Sequence, residues 1–170
     1  MQHTKTFKLV LSAVFCALVF AATWIAIPAG IGNVNLGDSM ILIGAWTLGG
    51  PWAAVSCAAG AALCDLASGY AVYAPGTFVI KALMVCAVLL IGWLARRVRL
   101  KEMIRLPLSA VCAELVMVAG YFLYELILFE TGAVADILFN CIQGAINLVV
   151  ALLCYAVLRK SNVLRTPETK

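Results

Sequence analysis

The sequence predicts an all-α membrane protein, a bundle of six transmembrane helices with both termini in the cytoplasm. Three observations carry that expectation. Of the 170 residues, 65% are hydrophobic and only 12% charged, with a mean hydropathy of +1.06; a soluble domain carries about twice that share of charge. The apolar residues fall in runs comparable to the roughly 20 residues that cross a bilayer core as helix. The net charge of +4 is distributed in clusters that flank those runs. Lys5 and Lys8 precede the first, Arg96, Arg97, Arg99, Lys101 and Arg105 fill one connection, and Arg159, Lys160, Arg165 and Lys170 follow the last. Lys81 stands apart from all of them. With every cluster on the cytoplasmic side, as the positive-inside rule requires, an even number of crossings separates successive clusters. Basic groups that flank spans point to topology and to the lipid bilayer rather than to nucleic acid.

Residues 1–170 read as one transmembrane domain of the plasma or inner membrane. The first span covers about 7–27 and is long enough to be a mature helix rather than a signal peptide. Residues 28–37 (PAGIGNVNLG) are rich in breakers and are expected to form an external loop. Asp38 and Ser39 then offer N-cap side chains to a second span over 38–48. Gly49-Gly50-Pro51 makes a tight cytoplasmic turn, and a third span rich in small residues covers 52–67. After a second external loop, span four covers 76–95 and ends against the central basic cluster. Span five covers 106–129, a short turn covers 130–133, and span six covers 134–158. The seven cysteines lie within spans with no CxxC pair, which reads as small apolar filling rather than disulfides.

Several function classes lose their support. The single histidine is His3, outside the spans, so no histidine-based triad or HExxH zinc site can form. No GxxxxGK[ST] phosphate loop occurs, so the chain does not hydrolyse ATP by itself. No catalytic residue, metal ligand or cofactor is expected.

What remains is a set of polar residues at depths where they are costly. Lys81 lies in the outer half of span four, and a lysine near the bilayer centre costs roughly 2.5–3.5 kcal/mol on insertion scales. It must face a partner or a cavity: an ion pair with Asp38, Asp65, Glu125 or Asp136 that fixes the bundle, a bound ligand, or both. Asp136, Asn140, Gln143 and Asn147 are spaced four, three and four apart along span six, hence on one helical stripe. Glu114, Tyr121 and Glu125 form a second stripe on span five. Both stripes must turn inward, since lipid offers no hydrogen bonds. Glu114 and Asn147, deeper in the membrane, read as interhelical glue. The outer members converge with Lys81, Thr77, Tyr70 and Tyr73, a mixture that suits a small polar ring compound better than a bare ion. Ala13, Ala17 and Ala21 on span one recur every fourth residue, a spacing that allows close helix approach.

The blocks Asn35-Leu36-Gly37-Asp38-Ser39, Gly49-Gly50-Pro51, Cys64-Asp65-Leu66-Ala67-Ser68-Gly69-Tyr70-Ala71-Val72-Tyr73-Ala74-Pro75 and Phe78-Val79-Ile80-Lys81 resemble those of substrate-binding S components of energy-coupling factor (ECF) vitamin transporters. The branch is similar to the riboflavin-type or pyridoxine-type S components. The resemblance implies six helices that bind a vitamin from outside, with a transmembrane T component and two ATPase subunits as partners. It implies that Ala13, Ala17 and Ala21 dock on the T component. It places binding in the first external loop and the outer ends of helices four to six, which here corresponds to Asn33, Asn35, Tyr73, Thr77, Lys81, Tyr121, Glu125, Asn140 and Gln143. Vitamin B6, or a related pyridine or pyrimidine, is the first expectation for substrate and riboflavin the alternative. Readings of another class are a stand-alone facilitator for small solutes and a structural membrane subunit.

Overall fold

A computed structural model describes residues 5–29, 32–129 and 133–161. His3, residues 130–132 of the expected turn at 130–133, and the tail residues Arg165 and Lys170 lie outside the described residues. Six helices and one hairpin follow in order: α1 (Lys5–Trp24), β1 (Ala26–Ala29), β2 (Gly32–Asn35), α2 (Gly37–Thr47), α3 (Gly50–Ala67), α4 (Ala74–Arg97), α5 (Glu102–Phe129) and α6 (Ala133–Lys160). Five of these helices are long and apolar enough to cross a membrane. The exception is α2, whose 11 residues rise only about 17 Å.

The short helix is also the most enclosed. Gly37, Asp38, Ser39 and every residue from Ile41 to Ala45 are buried, with α1, α3, α4 and α6 packed around it. A helix apolar on all sides needs neighbours on all sides, and one walled off from lipid need not match the bilayer thickness. The outer surface of the long helices carries the lipid-compatible side chains, with Leu9, Val10 and Val14 of α1, Val79 and Leu83 of α4, and Leu153 and Val157 of α6 all exposed.

Close contacts follow the small residues. At Gly60 of α3 a Cβ atom would run into the Cys16 carbonyl oxygen of α1 and lie 3.1 Å from Val19 Cβ, so the two backbones touch where the side chain is missing. α1 turns Ser12, Phe15, Val19 and Thr23 into the bundle. Ala13, Ala17 and Ala21 lie on its exposed side. Consecutive left-handed residues, Gly49 (φ +63°) and Gly50 (φ +61°), reverse the chain between α2 and α3, a conformation that only glycine adopts at little cost.

Three local expectations change. Residues 26–29 and 32–35 are not irregular: β1 and β2 pair antiparallel, Ala26 opposite Asn35 and Ile27 opposite Val34. The breakers that forbid a helix here permit paired strands, and α1 therefore ends at Trp24 rather than near residue 27. α5 begins at Glu102, one turn before the expected start, and carries Pro107 inside it, where the missing N–H leaves the Met103 carbonyl without its helical partner. The cysteines are not uniformly internal: Cys57 and Cys64 are buried, whereas Cys86 and Cys141 are exposed on the outer surface.

Candidate binding chamber

The helices alternate in direction, so one end of the bundle collects the C-terminal ends of α1, α3 and α5 and the N-terminal ends of α2, α4 and α6. A chamber lies at this end. Thr23 of α1, Asn33 and Asn35 of β2, Ala61 and Asp65 of α3, and Tyr70 of the following turn form one side. Tyr73, Thr77 and Lys81 of the α4 start, Tyr121 and Glu125 of α5, and Asp136, Phe139, Asn140 and Gln143 of α6 form the other. The fourfold and three-to-four spacings of these residues are helical neighbours, so three helices each present a continuous polar edge. The chamber is partly open, with a free volume of about 50 Å³, and the cleft including its mouth is about 570 Å³.

All nine residues nominated from the sequence as substrate-binding line this one chamber. Six further residues line it. Asp65, Tyr70 and Asp136 were visible in the sequence as polar groups at the right depth. Thr23, Ala61 and Phe139 gave no signal, because a small or apolar residue on a span looks the same whether it faces a cavity or a neighbouring helix.

The floor is a closed hydrogen-bond network centred on Asp38, which is fully buried. Lys81 Nζ donates to Asp38 Oδ1 at 2.6 Å, and Gln143 Nε2 donates to Oδ2 at 2.8 Å. Gln143 Oε1 in turn accepts from the Asn35 backbone N–H at 2.9 Å, which fastens the hairpin to α6. Asn147 Nδ2 donates to the Asn35 and Gln143 carbonyls, at 2.8 and 2.9 Å, and its Oδ1 accepts from the Ser39 N–H at 2.8 Å. Asn35 Oδ1 accepts from the Gly37 N–H at 2.9 Å.

These bonds correct the capping expectation. The N-terminal amides of α2 are satisfied by Asn35 and, from another helix, by Asn147, while Asp38 provides no cap. The Asp38 carboxylate is taken by Lys81 and Gln143, and it sits in the first turn of α2, where the helix dipole favours a negative charge. The Ser39 hydroxyl donates back to the Leu36 carbonyl at 2.6 Å. Asn147 links three elements, as its depth implied. Glu114 does not act as glue: both of its carboxyl oxygens are buried without a hydrogen-bond partner, beside Gly144, where a Cβ would lie 3.2 Å from Oε2.

Above the floor the chamber is aromatic and acidic. Thr77 Oγ1 and the Tyr121 hydroxyl are 3.0 Å apart, and Lys81 Nζ sits 4.9 Å from the Tyr121 ring centre, within cation–π range. Tyr70 and Tyr73 meet edge to face with centres 6.2 Å apart. Asp65, Glu125 and Asp136 supply carboxylates, and Lys81 is the one basic residue in the lining. One oxygen of Asp65 and one of Glu125 are buried without a hydrogen-bond partner. Among the described residues no three His, Cys, Asp or Glu side chains converge as a metal site needs.

A polar chamber at one end of a helical bundle with lipid-compatible flanks defines a multi-pass membrane protein built to hold a small solute. The family model for the S component of ECF-type riboflavin transporters matches residues 3–160, and the chain belongs to that family. It is a substrate-binding subunit of a transporter family, not an enzyme. A solved bacterial ECF transporter S component superposes with a TM-score of 0.68 at 20% identity, over 96% of this chain and 100% of that one. No curated protein sequence matches the chain.

Proposed function

We propose that the chain captures a heteroaromatic vitamin from outside the cell for an ECF importer, whose T component and two ATPase subunits supply the energy. The observation that carries this reading is polarity of the bundle. The chamber opens at one end, while Lys5, Lys8, Arg96, Arg97, Arg159 and Lys160 mark the other. With the basic end in the cytoplasm, both termini are inside and the chamber faces out.

Binding uses the aromatic and carboxylate walls above the floor. Tyr73, Tyr121 and Phe139 offer ring surfaces, and Thr77, Glu125 and Asn140 offer hydrogen bonds. Lys81 and Gln143 hold the floor through Asp38, so they shape the chamber even where they do not touch the guest. Asn33 and Asn35 bring the hairpin over one side. Riboflavin is favoured as guest by the family description. Vitamin B6 is the second reading, supported by the Glu125 and Asp136 carboxylates in the lining, which can hold ring hydroxyls or a ring nitrogen.

Purification from vitamin-rich medium, followed by mass spectrometry of the extracted ligand, tests the function. Recovery of a flavin or a pyridine vitamin at near one-to-one stoichiometry is expected. An empty protein that also shows no heat of binding with riboflavin, pyridoxine or hydroxymethylpyrimidine refutes it. Uptake into liposomes by the chain alone points instead to a facilitator. Asn140→Ala, a chamber residue outside the Asp38 network, is expected to weaken binding with folding intact; misfolding instead favours a structural subunit.

A further inference from the structure

The charges that line the main chamber do not balance. Asp65 on α3, Glu125 on α5 and Asp136 on α6 bring three carboxylates to it, and Lys81 is its one cation. Lys81 is engaged by a fourth acid, Asp38, at 2.6 Å. The floor pair is therefore neutral, and no second basic side chain in the lining answers the three carboxylates of the walls. Glu125 is 2% exposed, and its Oε2 is buried with no hydrogen-bond partner. Asp65 Oδ2 is orphaned in the same way, where the chamber adjoins a side cavity of about 140 Å³ between the end of α1, the hairpin and the end of α3. A carboxylate taken out of water is destabilising unless a cation or hydrogen-bond donors meet it. Among the described residues the acids do not converge as a metal site needs, and they share the lining with the rings of Tyr70, Tyr73, Tyr121 and Phe139. The faces of aromatic rings attract organic cations, so rings and acids select the same sign of charge.

We infer that the guest is an organic cation, a ring compound whose protonated amine is met by Glu125 and Asp65. This rests on the capture reading above and adds the sign of the guest's charge, a property on which the candidate vitamins differ. Riboflavin and pyridoxine carry no net charge at neutral pH, whereas an aminomethyl group in place of a hydroxymethyl group is protonated. An ammonium donates charge-assisted hydrogen bonds, which are stronger than those of a neutral hydroxyl, to the two orphaned oxygens. A neutral guest leaves the wall carboxylates without a counter-charge. A guest that carries a phosphate or carboxylate is repelled by all three acids in a site of low dielectric. Glu125, the more deeply enclosed of the two orphaned acids, is the main specificity residue, and half-buried Asp65 the second.

The test holds the ring constant and changes the charge of one substituent. Pyridoxamine, pyridoxine and 4-pyridoxate share a pyridine ring and differ at one position, which bears an ammonium, a hydroxyl or a carboxylate. The aminomethyl and hydroxymethyl forms of 4-amino-2-methylpyrimidine make a second matched pair, and riboflavin is the neutral reference. Each is titrated by calorimetry against the full chain in detergent at neutral pH. In the ring series that binds, the amine is expected to bind about tenfold or more tightly than its hydroxyl counterpart, and 4-pyridoxate more weakly than pyridoxine. Glu125→Gln, which keeps the shape and removes the charge, is expected to cut the preference for the amine about tenfold. Asp65→Asn reads the same preference should Glu125→Gln fail to fold. Equal affinity for amine and hydroxyl compounds, or a preference that neither variant diminishes, overturns the cationic guest. Riboflavin binding more tightly than either amine also overturns it and leaves vitamin capture standing. Absence of binding by all six compounds overturns both.

Discussion

Replacing Lys81 by methionine isolates the floor of the chamber. The substitution keeps most of the length of the side chain and removes the charge, leaving Asp38 buried with no exposure to solvent. Removing one member of a buried ion pair costs about 3–5 kcal/mol, because the remaining charge is left without compensation. Here Gln143 still donates to the second oxygen of Asp38 at 2.8 Å, which puts the expected loss at the lower end, about 3 kcal/mol. At about 2–4 °C per kcal/mol for a chain of this size, the unfolding midpoint falls by about 6–12 °C. The double variant Asp38→Asn, Lys81→Met has no buried charge at this point and keeps a Gln143 partner, so it is expected to recover about 2 kcal/mol of the loss. Heating in detergent with a thiol-reactive fluorophore reads the transition. Cys57 and Cys64 are buried and become reactive on unfolding, and the exposed Cys86 and Cys141 set the baseline. A single-variant midpoint within about 2 °C of the parent, or a double variant no more stable than the single, refutes the reasoning.

Asn147→Leu removes the links to the Ser39 amide and to the Asn35 and Gln143 carbonyls together; with buried groups left unsatisfied at about 1–3 kcal/mol each, faster amide exchange at Ser39 is expected, along with weakened vitamin binding. Unchanged exchange at the Ser39 amide counts against the network. Gly60→Leu forces α1 and α3 apart where their backbones meet and is expected to yield little folded protein by size-exclusion chromatography, whereas normal yield and elution show that the close contact is not required. Ala17→Trp lies on the exposed side of α1; uptake by the assembled importer is expected to be lost while vitamin binding by the isolated chain persists. Full uptake places the T component on another face.

Membrane residence and the polar stripes are legible in the sequence alone, because lipid imposes one rule on every residue. An unpaired polar group in hydrocarbon is costly, so the period of Asp136, Asn140, Gln143 and Asn147 is enough to tell which side of α6 faces inward. The same rule draws the nine nominated residues, from three helices and two connecting segments, to a single chamber. Helix count follows from apolar runs and basic clusters, although α2 falls short of crossing length. A run of apolar residues does not reveal whether lipid or protein surrounds it.

What the sequence determined by itself was therefore local or rule-bound: which segments are apolar, where helices break, and which polar residues share a face. Tertiary structure decided the pairings. Four acidic residues were available to Lys81, and only the packing of α2 between α4 and α6 brings Asp38 to it. The α2 N-terminus is capped by Asn147 from 108 positions away, a contact no local pattern encodes. The hairpin and the side cavity beneath it arise likewise from three chain segments meeting. Periodicity specifies direction about a helix axis, whereas contact depends on distances between axes, and those are set by how all the helices pack at once.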